Sequence, residues 1–363
     1  MIRVLHVMAG ADAGGISSVV YNYYSGIDRE KIRFEIALTT DSFGINGKKL
    51  EELGCSFYRL PLKSKGIKHF KTELKYLLVN NQYDAVHVHE NETSYVALAV
   101  AKACGIRIRI AHSHTSSPYK GMRSEVKRLL GCWLNNKYAT HLIACGKLAG
   151  ERVFGKRHMK SKKALILYNA MDCSNYEFNP EYRALFRDEN NLADRFVIGM
   201  VGRLSTEKNQ IAAIHIVNEY HKINEKATLC IVGNGEDEET LKDYVKRNNL
   251  DSFVSFLGAR TDVNKLYSAF DVSLLTSFHE GFPVVGVESL ISGLPLLLSD
   301  TITSELSEFH NVEYCSLDNY ESWIKAFEKY RDKERTCSTD KLLMNMFSIK
   351  NCAEKLESVY LYG

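Results

Sequence analysis

Short runs rich in valine, isoleucine and leucine alternate with segments of helical periodicity along almost the whole chain, and no other feature narrows the fold as much. A run that is apolar at every position suits a strand buried on both faces, and strands separated by helices pair in parallel, through crossovers. In the first half the runs are Arg3–Met8, Arg33–Thr40, Cys55–Leu60, Ala85–His89, Arg107–Ala111, His141–Cys145 and Leu165–Tyr168. Helical patterns lie between them near 15–26, 67–80, 93–104, 121–138 and 146–155. The second half repeats the rhythm with strands at Phe196–Val201, Thr228–Val232, Val254–Leu257, Val272–Leu275 and Pro295–Ser299, and helices near 207–224, 236–249, 262–269, 284–292 and 319–331.

The alternation predicts two doubly wound α/β domains in tandem, and 363 residues are more than one core organises comfortably. A polar, asparagine-rich stretch from Asn169 to Asn179, closed by Pro180, marks the junction. The expected domains are 1–170 and 171–348, with the helical pattern at 349–363 packing back on the first. Open α/β sheets bind ligands beyond the carboxyl ends of their strands, so a cleft between the domains is the expected site.

Composition excludes several classes. No apolar run approaches the roughly 20 residues that span a bilayer, and Met1–Ala9 is too short and too interrupted for a signal peptide. The expected location is therefore the cytoplasm. The nine cysteines are scattered and form no C-x-x-C pair, which argues against a disulfide framework or a zinc ribbon. Net charge is only +3, yet residues 1–170 carry 27 Lys+Arg against 13 Asp+Glu, and the remainder 20 against 31. A basic first half suits an anionic partner. Its charge concentrates at Lys63–Lys75 and Lys120–Arg128, with Trp133 beyond, a composition that lies readily on the anionic inner face of a membrane. Nucleic acid is not expected, because no recognition motif accompanies the charge.

The chemistry concentrates in the second half. Ser277–Pro295 leaves a buried strand, enters a short helix behind Pro283 and stops at Gly293 and Pro295, and it carries two acids, Glu280 and Glu288, among apolar residues. Such acids need hydrogen-bonding partners, either an internal cation or the hydroxyls of a polar ligand. Gly286 frees one turn of that helix for close approach by another group. Upstream, Gly199–Asn209 reads as strand, glycine turn and helix, with Arg203 and Lys208 in the loop. A planar guanidinium and a mobile ammonium together suit a pyrophosphate. Gly233 and Gly235 form a second strand–turn–helix junction, too short for the dinucleotide fingerprint G-x-G-x-x-G, so a Rossmann dehydrogenase is disfavoured. At the amino end, Gly14-Gly15 lets backbone amides approach a phosphate or sugar.

Two histidine pairs, His87-Val-His89 and His112-Ser-His114, end predicted strands. Four imidazoles suffice for a zinc site, but the same spacing follows from alternation along a strand, and core or cleft histidines are the preferred reading. No D-x-D occurs, so no metal or other cofactor is expected.

Taken together, Gly14-Gly15, Gly202-Arg203 with Lys208-Asn209, the Gly233/Gly235 turn, and Glu280-Gly281-Phe282-Pro283 with Glu288 and Gly293-Leu294-Pro295 resemble glycosyltransferase family 4, retaining enzymes of the GT-B fold, most closely those of bacterial exopolysaccharide and capsule synthesis. The resemblance spans nearly the whole chain and is strongest over 196–300; Tyr168–Asp172 departs from it, having Asn-Ala where Asn-Gly is usual. It implies that Arg203 and Lys208 hold the donor diphosphate, that Glu280 meets hydroxyls of the transferred sugar, and that Glu288 meets the ribose. It further implies that the backbone of Gly281, Phe282 and Pro283 adds to the grip, that Leu257–Arg260 contacts the base, and that His112, or else His114, touches the donor sugar. The implied activity is metal-independent, retaining transfer of a hexosyl or N-acetylhexosaminyl group from a nucleotide sugar, a UDP-sugar first, to a glycan or lipid-linked saccharide. A GT-B nucleotide-sugar epimerase and a non-catalytic nucleotide-sugar-binding protein are the alternatives.

Overall fold

The computed structural model describes residues 1–12, 15–114, 121–161, 163–280, 282–338 and 340–363. They form two compact units, Met1–Met171 with Met346–Gly363, and Asp172–Asn345. Each is a doubly wound α/β domain.

The first unit is built on seven strands, β1 (Ile2–Met8), β2 (Ile32–Leu38), β3 (Ser56–Arg59), β4 (Ala85–Val88), β5 (Ile108–Ser113), β6 (His141–Ala144) and β7 (Ala164–Ile166), in the order β3-β2-β1-β4-β5-β6-β7. Every pairing is parallel. Both faces are covered, as continuous apolar runs require. Leu5, Val7, Val86 and Val88 pack into one core, while Val4, Met8, Phe34 and Ile110 face another that includes Tyr23 and Tyr360. Tyr360 belongs to the terminal helix Ile349–Tyr362, which lies beside helix Gly15–Gly26.

The second unit has six parallel strands, β8 (Phe196–Val201), β9 (Ala227–Val232), β10 (Val254–Gly258), β11 (Val272–Leu275), β12 (Leu296–Ser299) and β13 (Val312–Cys315), ordered β10-β9-β8-β11-β12-β13. In both units the strand order reverses beside the first strand, between β1 and β4 and between β8 and β11. Ligands of open α/β sheets collect at the carboxyl ends of strands at such points.

Several elements went unassigned by periodicity, three of them for plain physical reasons. Helix Ile45–Glu52 buries only Asn46, Gly47 and Leu50, so no apolar stripe announces it. Strand β13 is a four-residue edge strand with one buried side chain. Helix Pro180–Glu189 begins where the expected junction ends; Asn179 caps it by accepting a hydrogen bond from the Tyr182 amide at 2.8 Å, and Pro180 takes the first turn. Its Arg183 and Arg187 hold Asp271 just before β11, so this segment is part of the second core's frame.

Among the described residues, none of the nine cysteines is in a disulfide. Among the described residues, no helix is long and apolar enough to cross a membrane.

Candidate functional site

At the carboxyl ends of β8, β9 and β10 the chain makes close backbone contacts. The Gly202 amide donates to the Val232 carbonyl, the Leu204 amide to Asn234, and the Gly233 amide to Gly258, each at 2.9 Å. A side chain at Gly233 would place its Cβ 2.0 Å from the Gly202 oxygen, and one at Gly235 would lie 2.1 Å from the Leu204 oxygen. Glycine is therefore demanded at both positions by the approach of one turn to another. The result is an open depression of about 810 Å³ lined by Gly202, Arg203, Gly233, Gly235, Glu236 and Arg260 among others. Arg203, Gly233 and Arg260, far apart in sequence, thus share one hollow.

Arg203 is exposed, and its Nε donates to Glu236 at 2.9 Å. Arg260 forms a two-pronged pair with Asp262, at 2.8 and 2.7 Å, over the ring of Phe186. Hydrogen bonds from Arg260, and after them one from Tyr182, pull the Asp262 carboxyl down to about 2.

The loop after β8 is tied to the loop after β11. Thr276 Oγ1 donates to the Asn209 carbonyl at 2.8 Å, Asn209 Nδ2 donates to the Thr276 carbonyl at 3.2 Å, and the Phe278 amide donates to Glu207 at 3.0 Å. Asn209 itself adopts a left-handed conformation, with φ of 53°, which asparagine tolerates better than most side chains. These ties bring Lys208 Nζ onto Glu280 Oε1, which also accepts from Ser277 Oγ at 2.8 Å. The partner of Glu280 is therefore a lysine from another loop.

Glu288 has different partners. It lies on helix Val284–Ile291, and its two oxygens accept from Tyr176 at 3.0 Å and Tyr267 at 2.8 Å. Burial raises this carboxyl above its usual range, and the two tyrosine hydroxyls oppose that rise. Neither tyrosine carries a local sequence signal, being 112 and 21 residues away. Pro283 stands at the cap, one residue before the helix, and accepts amides from Gly286 and Val287. Gly286 faces the core leucines Leu275, Leu296 and Leu306. Phe282 is partly buried ahead of the cap, while Gly281 and Gly14 lie outside the described residues. Gly15 is exposed at the start of its helix, with open space where a side chain would stand.

In the first unit, His112 on β5 is wholly buried and His114, just past it, is partly exposed. They do not stand alone. His6 on β1, His87 on β4 and His89 beyond it share the same sheet face, and His6 and His87 are register partners. The His6, His87, His89 and the His89, His112, His114 nitrogens each gather within 4.8 Å, a spacing close enough for an ion. In the structure the five rings bond to one another or to Tyr360, each through at least one nitrogen. Burial holds all five rings well below the usual histidine range, to about 3 for His6 and His114. His6 gave no sign in the sequence because it is a single histidine; only the parallel pairing of β1 with β4 places it in the group.

Comparison with known proteins assigns each unit to a family. Residues 13–175 match the model described as Glycosyltransferase Family 4, and residues 182–335 match Glycosyl transferases group 1. The chain is 29% identical over 310 residues, 84% of its length and 80% of the relative's, to a Bacillus subtilis (strain 168) protein named "Putative glycosyltransferase EpsF". It is 25% identical over 377 aligned residues, 98% of its length and 92% of the relative's, to the Escherichia coli "UDP-Gal:alpha-D-GlcNAc-diphosphoundecaprenol alpha-1,3-galactosyltransferase". In fold it is similar to Anabaena HepE, crystallised with UDP and glucose, at a TM-score of 0.79 and 19% identity over 100% of both chains. With a doubly wound sheet in each unit and a family match over both, the chain belongs to the family 4 glycosyltransferases of the GT-B fold.

Proposed function

We propose that this protein is a retaining glycosyltransferase that moves a hexosyl or N-acetylhexosaminyl group from a UDP-sugar to a hydroxyl of a glycan or lipid-linked saccharide, in bacterial surface polysaccharide synthesis, without a metal ion. The observation that carries this reading is the strand-end hollow of the second unit, which gathers Arg203, Arg260 and the Gly233 turn, together with the Lys208–Glu280 pair held by interlocked loops. Cations at the ends of β8 and β10 suit a diphosphate and its base, and carboxylates with hydroxyl partners suit sugar oxygens. The Escherichia coli relative and the HepE complex, with UDP in their names, support the choice of nucleotide. On this reading Arg203 and Lys208 exchange Glu236 and Glu280 for the phosphates and stabilise the departing diphosphate electrostatically. Glu280 is then free to meet sugar hydroxyls, Glu288 serves the ribose, and Phe282 and Pro283 line the phosphate side. His112 meets the donor sugar.

A panel of nucleotide sugars, incubated with and without undecaprenyl-diphosphate-linked saccharides, tests this. Free UDP should appear only when donor and acceptor are both present, the product should keep the anomeric configuration of the donor, and EDTA should not change the rate. Conversion of the sugar nucleotide without acceptor would establish an epimerase instead. Binding without any turnover would establish a binding protein.

The acceptor proposal includes an anionic membrane surface. On helix Met122–Tyr138, Met122, Val126, Leu129, Leu130 and Trp133 are all exposed, at spacings that put them on one face, beside Arg123, Lys127 and Lys137. An apolar stripe with basic flanks is the pattern of a helix lying in a bilayer interface. Of the other basic segment, Lys65, Lys68, Lys71 and Lys75 are exposed, whereas Lys63 is held by Glu90; Lys120 lies outside the described residues. The protein should sediment with phosphatidylglycerol-containing vesicles and not with phosphatidylcholine alone. Leu129→Glu with Trp133→Ala should abolish that sedimentation without altering the melting temperature.

A further inference from the structure

The five buried histidines are joined in a way that the family reading, which uses one of them, does not call for. From the partly exposed end, His114 Nε2 meets His89 Nδ1 at 2.8 Å, and His89 Nε2 meets His6 Nδ1 at 2.9 Å. His6 Nε2 meets the Tyr360 hydroxyl at 3.4 Å, and that hydroxyl meets His87 Nδ1 at 2.6 Å. His87 Nε2 meets His112 Nδ1 at 3.0 Å, and His112 Nε2 ends the series, buried and with no partner among the described residues. Every imidazole is entered at Nδ1 and left at Nε2, so the series runs head to tail with one polarity.

Hydrogen counting then restricts what the series can do. A neutral imidazole carries one ring hydrogen and one lone pair. Five neutral rings and one hydroxyl hold six hydrogens, and the five links use one each. The sixth sits at an end. If His114 Nδ1 carries it, every ring is the Nδ1–H tautomer and His112 Nε2 is a bare acceptor. If His112 Nε2 carries it, every ring is the Nε2–H tautomer and His112 is a donor. A mixed series would require Tyr360 to accept from both neighbours and donate elsewhere, and its buried hydroxyl has no third partner among the described residues. The depressed titration of all five rings agrees with their being neutral.

We infer that His114, His89, His6, Tyr360 and His87 are positioning residues: they form one tautomer-locked relay that sets whether His112 offers a hydrogen or a lone pair to a hydroxyl at the reaction site, and they pass each change to His114. When a hydroxyl proton enters at His112 Nε2, each donor in turn hands its hydrogen to the next acceptor and one proton leaves from His114 Nδ1. Atoms balance, and every ring begins and ends neutral. The catalytic consequence rests on the reading of His112 as the residue that meets the donor sugar; the coupling itself does not.

Nitrogen-15 NMR of the histidine-labelled full chain tests the coupling. All five rings should show the same neutral tautomer, and Tyr360→Phe, which cuts the series without removing a ring, should leave His112 and His87 independent of the other three. Kinetics with a UDP-sugar then test the consequence: Tyr360→Phe should lower kcat about 10- to 100-fold, a fraction of what a general acid–base group contributes, with KM for the nucleotide sugar within about twofold. Mixed tautomers, a His112 spectrum unmoved by the cut, or stoichiometric zinc in the purified protein would overturn the relay. Unchanged kcat in Tyr360→Phe beside an inactive His112→Ala would overturn its part in catalysis. Full activity in His112→Ala, with the NMR coupling intact, would instead count against His112 as the sugar-contacting residue. Should Tyr360→Phe fail to fold, His114→Ala cuts the partly exposed end, and the tautomer at His112 is the readout again.

Discussion

Lys208→Ala is expected to reduce turnover of the nucleotide sugar by about 10² to 10³-fold, the usual effect of removing one electrostatic stabiliser of developing charge, while the protein stays folded. Lys208 and Glu280 come from different loops, and their meeting depends on the bonds that Asn209 exchanges with Thr276. If the pair were merely structural, removing either partner would strand a charge, and removing both would restore the balance. The double variant Lys208→Ala/Glu280→Ala separates these roles. Stability should recover in the double variant relative to the singles, because neither charge is left unpaired. Activity should not recover, because neither the diphosphate nor the sugar has its partner back. Activity per folded molecule rising with stability in the double variant would show the pair to be a strut. Glu288→Ala should differ from both: it leaves the hydroxyls of Tyr176 and Tyr267 without their acceptor, so donor affinity and melting temperature should fall together.

Acid should destabilise the first unit steeply. His6, His87, His89 and His112 are wholly buried and held well below the ordinary histidine value in the folded protein. In the unfolded chain they titrate near the ordinary value of about 6.5. Between that value and the lower folded ones, the unfolded chain binds more protons than the folded one, so stability falls as pH falls below about 6.5. At pH 5.5 each such ring costs about 1.4 kcal/mol. Four of them together cost about 5 to 6 kcal/mol, a large share of the 5–15 kcal/mol that a domain ordinarily has. Thermal unfolding followed from pH 7.5 to 5.5 should show the melting temperature flat above about pH 7 and dropping below 6.5. A flat profile across the whole range would mean that the rings take up protons in the folded state as they do in the unfolded chain, which would also remove the basis of the relay.

Much of the fold was legible because parallel strands buried on both faces advertise themselves. Phe196–Val201 is buried at all six positions and reads as a strand without further help. The edge strand Val312–Cys315 was not legible, since an edge position relieves the chain of the continuous apolar run that marks the others. The helix behind Asn179 went unassigned because the asparagine and proline that cap it read equally well as the close of a linker. The same limit applies to the site. Glu280 and Glu288 stood out as acids in apolar surroundings, but whether a lysine or two tyrosines answered them was not visible. The candidate pairs His87/His89 and His112/His114 were visible by spacing, and the links between them were not.

The sequence by itself determined the two doubly wound halves and the family, because hydrophobic period and glycine placement are local properties that act within a few residues. Only the tertiary structure decided partners. The bond from Tyr360 to His6 crosses 354 positions, and it exists because the terminal helix returns to cover the face of β1 and β4. Which side chains meet across such a distance is settled by how strands are ordered and which helix covers them, and neither is written in the residues nearby.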